Sequence, residues 1–341
     1  MLNTKATSIT TFSLHELMDD LHRRSLQGNL TASECYPTGI RALDRRIAGG
    51  LRKGNLFLLG GGEGAGKTTF ALQIARNMAI EGVDVIYICY EHSEEELMLR
   101  LISMESARKL PNGDVVGLRL SDLYDELRSA NRSPSGALAK LEGDQYARLA
   151  LEKMEGYASR FRIAKASSSS TDLDVISRLV DEHIANGSKR LFLVIDYLQK
   201  IYSNERALSE EDRTGKVVEG LKDLALSREV PILAIVAADK EGIRARRLRS
   251  YHLRGSSALL YEADLIIVMN EKSRIVSRQA VDLTAYKAIQ MSGWVVFSIE
   301  KNRLGRDLVD FQLKKMFNFS MFDPSGDAVP EPLVDDTVHI E

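Results

Sequence analysis

Hydrophobic positions along the chain fall into two kinds of run. Five stretches, "NLFLLG", "DVIYICY", "RLFLVIDYL", "PILAIV" and "DLIIVM", are apolar almost without a break and are separated by helical or loop sequence. Strands this uniformly apolar are covered on both faces, which predicts an α/β fold with a mostly parallel, doubly wound sheet. Three later stretches, "WVVFSIEKNR", "DLVDFQLKK" and "FNFSMFD", alternate instead and predict antiparallel strands appended to the sheet edge. Near the amino terminus, Leu14, Leu17, Met18 and Leu21 recur at helical spacing behind Ser13, with Glu16 at the third position of a capping box. A short amphipathic helix is expected there, followed by the Gly/Ser/Thr/Pro-rich linker "SLQGNLTASECYPTG". The expected organisation is therefore a tail and linker helix over residues 1–35, one large α/β domain over 36–323, and an acidic, proline-containing tail over 324–341 that reads as disordered. Within the domain, residues 107–160 read as mainly helical and polar, with "SANRSPSG" and "ASSSST" as surface loops.

Composition narrows the class without naming a partner. Hydrophobic residues make up 44% of the 341 positions, charged residues 28%, and the net charge is −2, an ordinary globular balance. With no global field to steer a polyanion, any nucleic-acid contact must come from a local basic patch. Two cysteines, Cys35 and Cys89, are too few for a disulfide framework. Neither a signal-type apolar run nor about 18 consecutive apolar residues is present, so a cytoplasmic protein without a membrane span is expected.

The candidate chemistry starts at Gly61-Gly62-Glu63-Gly64-Ala65-Gly66-Lys67-Thr68-Thr69, which fits G-x-x-x-x-G-K-[ST] between an apolar strand and a helical stretch. The glycines let successive N–H groups face phosphate oxygens, Lys67 adds a point charge, and the Thr68 hydroxyl suits Mg2+. ATP with Mg2+ is the expected cofactor. A metal-nucleotide site also needs a carboxylate at the end of a neighbouring buried strand, and Asp196 follows "RLFLVI" in that position. Glu91 ends another apolar run, where the crevice of an α/β sheet lies, and is the candidate that orients the attacking water. Glu94, Glu95 and Glu96 are explained by the helix start behind Ser93.

Over roughly residues 36–323 the sequence resembles the carboxy-terminal ATPase domain of DnaB-type replicative helicases, within the RecA-fold group. The resemblance rests on "TGIRALDRRIAGGLRKGNLFLLGGGEGAGKTTFALQIA", with Thr38, Gly39, Leu43 and Asp44; on "YEHSEEELMLRLIS", which aligns Glu91 with the family's water-activating glutamate; on "VIDYLQKI", with Asp196, Tyr197, Leu198 and Gln199; and on "LRGSSALLYEADLIIVM" and "EKNRLGRD". It implies a homohexameric ring in which each ATP lies between subunits. The family's trans-acting Lys-x-Arg finger then falls on Lys301 and Arg303. It also implies single-stranded DNA in a central channel, held by the basic stretch "DKEGIRARRLRSYHLRGSS", with Arg246, Arg247, Arg254, Gly255 and Ser256 as the candidate contacts. A loader or replication protein is a further implied partner. Two departures stand out: only about 35 residues precede the domain, where the family carries a collar domain of about a hundred or more, and Ala237 replaces its γ-phosphate-sensing glutamine. The activity implied is an ATP-hydrolysing DNA helicase or translocase. The alternative that the departures favour is an ATP-gated assembly, recombination or loader ATPase of the same fold that does not separate strands.

Overall fold

The apolar runs pair with one another inside a single nine-stranded sheet. The computed structural model describes residues 11–27, 35–130, 141–203, 209–255, 257–277 and 284–334. In chain order the strands are β1 (Leu56–Gly61), β2 (Asp84–Cys89), β3 (Arg108–Lys109), β4 (Val115–Val116), β5 (Phe161–Lys165), β6 (Leu191–Asp196), β7 (Ile232–Val236), β8 (Leu265–Glu271), β9 (Trp294–Asn302), β10 (Val309–Met316) and β11 (Met321–Phe322). The large sheet runs β11-β10-β9-β8-β1-β7-β6-β2-β5, and β3 and β4 form a separate small hairpin. Strands β8, β1, β7, β6, β2 and β5 are parallel, whereas β9, β10 and β11 are joined antiparallel at one edge.

Alternation within β1 shows how the two faces are filled. Phe57 and Leu59 pack into one cluster with Phe70 and Ile74 of the helix Lys67–Ile80, while Leu56 and Leu58 join Val218 and Leu221 of the helix Glu210–Arg228 on the other side. A strand covered on both faces must be apolar at every position, which is why the central runs show no alternation. Helices Glu94–Ser106 and Gln145–Glu155 build a smaller core of their own around Leu99, Ile102, Ala147 and Ala150.

Three expectations need correction or extension. β5 is not among the strands expected from the sequence, because none of its residues is fully buried and, broken by Arg162, they never form an apolar run. The stretch "FNFSMFD" forms a turn of 3-10 helix at Phe317–Phe319 and only the two-residue β11. The disorder expected from residue 324 fails for residues 324–334: Asp327 bridges Gln312, and Leu333 bridges Val276 and is buried with Ile275 and Val296. The scarcity of apolar residues there is offset by buried partners, since Glu331 pairs with Lys272 at 2.6 Å and the Val334 carbonyl accepts from Arg247 at 3.0 Å. Residues 335–341 and most of "SANRSPSG" lie outside the described residues.

The chain divides at Cys35 into two compact units. In the first, the helix Leu14–Leu26 starts with a complete capping box, Ser13 Oγ accepting from Glu16 N and the Glu16 carboxylate accepting from Ser13 N at 2.7 Å. Residues 1–10 and 28–34, which hold most of the expected tail and linker, lie outside those described.

Candidate functional site

The loop after β1 curls because two glycines take left-handed backbone, Gly64 at φ +71° and Gly66 at φ +92°. Gly66 is also the residue before the helix Lys67–Ile80, and a Cβ there would meet Phe317 at 2.5 Å. The loop thus ends on the start of a helix whose first N–H groups have no intrahelical acceptor, the arrangement that receives phosphate oxygens. Lys67 folds back so that its Nζ donates to the carbonyls of Gly61 (2.9 Å) and Gly62 (2.8 Å). Burial pushes its ammonium pKa down, and the nearby Asp196, Glu91 and Glu63 carboxylates push the other way.

Asp196, at the end of β6, is 2% exposed, and burial holds its carboxyl above the usual carboxylate range. Hydrogen bonds to that carboxylate from Thr68 and, at 3.0 Å, from the Tyr87 hydroxyl act in the opposite direction. A buried acid whose partners are hydroxyls, beside a phosphate-type loop, is a hard-oxygen donor set suited to Mg2+. Glu91 is exposed and faces the same open cavity of about 690 Å³, together with Lys67, Thr68, Asp196, Arg100 and Arg254. The motif around Thr38 is a brace for this site. Asp44 accepts from Thr38 N, Thr38 Oγ1 and Gly39 N, and Asn77 of the helix Lys67–Ile80 donates to Thr38 O at 2.9 Å.

Lys301 and Arg303 do not join these residues. β9 runs antiparallel to β8, with Lys301 beside Ile266, whereas Gly61 pairs with Met269 further along the parallel strand β8. The strand rise of about 3.3 Å per residue puts Leu56 at the start of β1, the end on which the two cations sit, about 17 Å from its loop end at Gly61 before the loop itself is counted. There Lys301 Nζ donates to Leu260 O (2.6 Å) and Tyr261 O (3.0 Å), and Arg303 pairs with Asp264 at 3.2 Å. Burial lowers the Lys301 pKa, and the neighbouring Arg303 charge adds to the effect.

The basic stretch departs most from expectation. Asp239 caps a short helix, Lys240–Arg244, and residues Ser250–His252 form a 3-10 turn. Arg247 is corrected as a DNA contact: it is 4% exposed and holds Asp310 of β10 at 2.9 Å, with the Ser298 hydroxyl of β9 accepting from it at 3.3 Å. Arg249 likewise pairs with Glu300. Arg246 is exposed and donates to the carbonyls of Arg274 and Val276. Arg254 is half-exposed and pairs with Glu210, and Gly255 has φ +148°; Ser256 lies outside the described residues.

One connection is not visible in the sequence. Gln199 Oε1 accepts from Ala237 N at 3.2 Å while its Nε2 donates to Arg254 O at 2.6 Å. A glutamine side chain therefore stands at the end of β7 although residue 237 itself is alanine. Its position three residues after Asp196 in "DYLQ" is the only signal the sequence offers.

Comparison with known proteins gives a consistent likeness. Residues 36–323 match the family model of the DnaB-like helicase C terminal domain. The replicative DNA helicase DnaB of Treponema pallidum (strain Nichols) is 25% identical over 287 residues, covering 82% of this chain and 58% of the relative. The DNA repair protein RadA of Campylobacter jejuni subsp. jejuni serotype O:2 is 36% identical over 99 residues, 29% of this chain and 22% of the relative. The chain thus spans less than two thirds of either relative. Among solved structures, a DnaB-like replicative helicase described with its interactions with primase superposes with a TM-score of 0.66 at 20% identity, over 93% of this chain and 68% of that one. A separately solved ATPase domain superposes with a TM-score of 0.70 at 19% identity, over 92% of this chain and 99% of that one.

Proposed function

The chain belongs to the DnaB-like helicase C terminal domain family, and from that premise we propose that it is the ATP-hydrolysing motor of a homohexameric ring that moves along single-stranded DNA and separates strands. The observation that carries the reading is the division of charge along one sheet. The phosphate loop, Asp196 and Glu91 lie at one end, and Lys301 and Arg303 lie at the other. No single copy can bring both sets to one triphosphate. A head-to-tail contact unites them, and such contacts close into a ring when the rotation between copies closes and extend into a filament when it does not.

Within the composite site, the loop N–H groups and Lys67 hold the β- and γ-phosphates, and Glu91 orients and deprotonates the attacking water. Asp196 and Thr68 would hold Mg2+, which supplies charge neutralisation at the phosphate oxygens when bound. Arg303, with Lys301 beside it, stabilises charge on the neighbour's γ-phosphate. Arg246, Arg254 and Gly255 are the proposed contacts to the DNA backbone. The bridge made by Gln199 between Ala237 and Arg254 supports a route from the nucleotide strands to that contact. The proposed setting is the cytoplasm, with a loader or replication protein as a further partner.

A second reading, an ATP-gated assembly, recombination or loader ATPase without strand separation, is favoured by Ala237. ATPase and strand-displacement assays on one preparation separate the two. The motor reading expects turnover to rise several-fold with single-stranded DNA and to vanish in Lys67→Ala, and a forked duplex to be opened. Turnover indifferent to nucleic acid, with no displacement, overturns it.

A further inference from the structure

Arg303 is held in place by a carboxylate that the reading above does not use. Asp264 lies immediately before β8 and is 7% exposed. Its Oδ2 accepts from Leu56 N at 2.8 Å and from Lys222 Nζ at 2.7 Å, and its Oδ1 accepts from Arg303 Nη1 at 3.2 Å. Lys222 is itself 8% exposed and donates to Gly54 O at 2.8 Å. A buried lysine and a buried aspartate are stable together only when each satisfies the other, so this pair has little freedom to rearrange.

Arg303 is anchored at a second point, Nη2 donating to Tyr261 O at 2.6 Å, yet half of its side chain remains exposed. A guanidinium has five N–H donors in one rigid plane. With Nη1 and Nη2 each giving one hydrogen bond within the chain, the plane is set while the remaining donors stay available. The same carboxylate also touches Leu56, the first residue of the strand that leads to this chain's own phosphate loop.

We propose that Asp264, locked by Lys222, is the positioning residue that holds Arg303 in the orientation needed to reach the triphosphate of the next copy. This inference rests on the shared-site reading, so its test carries a control for that reading. Asp264 is not among the residues lining its own chain's cavity, and its loss acts on the site completed by Arg303. Misplacing a reacting group by about 1 Å costs up to about 100-fold in rate.

The experiment mixes subunits and measures ATPase in particles shown to co-assemble. Arg303→Ala keeps a good loop side and loses the finger; Glu91→Gln keeps the finger and loses the loop side. Their 1:1 mixture is the control and is expected to recover about a quarter of wild-type activity, the share of interfaces in a random ring that draw each half from the intact donor. Asp264→Asn alone is expected to lower kcat about 10-fold or more while nucleotide affinity stays within about two-fold. Mixed with Glu91→Gln it should recover as the control does, and mixed with Arg303→Ala it should stay at baseline. Recovery with Arg303→Ala but not with Glu91→Gln would mean that Asp264 serves its own loop through β1, and unchanged turnover of Asp264→Asn would mean that Arg303 needs no such support; either result overturns the proposal. Failure of the control mixture overturns the shared site instead. If Asp264→Asn does not fold, Lys222→Gln probes the lock from its other side, with the same pairings expected.

Discussion

Single residues already carry separable consequences. Gly66 combines φ +92° with a would-be Cβ 2.5 Å from Phe317, whereas Gly82 has φ +80° and open space around it. Gly66→Ala is expected to cost about 1–3 kcal/mol of stability and most of the nucleotide affinity, and Gly82→Ala only the backbone strain, which denaturant unfolding and nucleotide titration would separate. Equal effects would contradict the crowding argument. Asp196 makes a prediction in pH. Its carboxyl pKa is raised by burial in the folded chain and returns to the usual value, about 4, when the chain unfolds. Below both values the group is protonated in both states and adds nothing; as pH rises the unfolded chain ionises first, so the fold loses stability until its own pKa is passed. Asp196→Asn should therefore raise the Tm of nucleotide-free protein at neutral pH, with the gain shrinking as the buffer approaches about pH 4. No gain at neutral pH would contradict it. These positions are legible in the sequence because a phosphate loop and a strand-ending acid are local patterns. Arg247 is not, because its partner Asp310 is distant in sequence, and no local pattern tells a buried cation from a solvated one.

At the scale of elements, sequence patterning works where burial is uniform and weakens at the margins. The central strands are legible as unbroken apolar runs; β5, at the sheet edge, has the burial of a half-covered strand and escapes the pattern. The segment 324–334 shows the opposite difficulty, since its composition reads as disorder while its few apolar side chains find a ready-made groove. Leu333, 4% exposed against Ile275, Val276 and Val296, carries that docking. Leu333→Ala is expected to cost about 2–4 kcal/mol in urea unfolding, and a loss below about 0.5 kcal/mol would show that the segment adds little. The basic stretch between β7 and β8 is legible as charge but not as structure, because pairs with Glu210, Glu300 and Asp310 take up three of its arginines.

For the whole molecule, topology decides more than any motif. An antiparallel β9 carries Lys301 and Arg303 to the end of the sheet away from the phosphate loop, so the proposed function requires two copies for a complete site. On that proposal assembly and chemistry are one property, with each ring position contributing a loop to one neighbour and a finger to the other. The most direct measurement is ATP turnover per chain across a protein dilution series, with particle mass recorded at each point under saturating Mg-ATP and an oligonucleotide. Turnover per chain is expected to fall in step with the assembled fraction and to vanish in the single-copy form. Full turnover by solitary chains would contradict a site shared between copies.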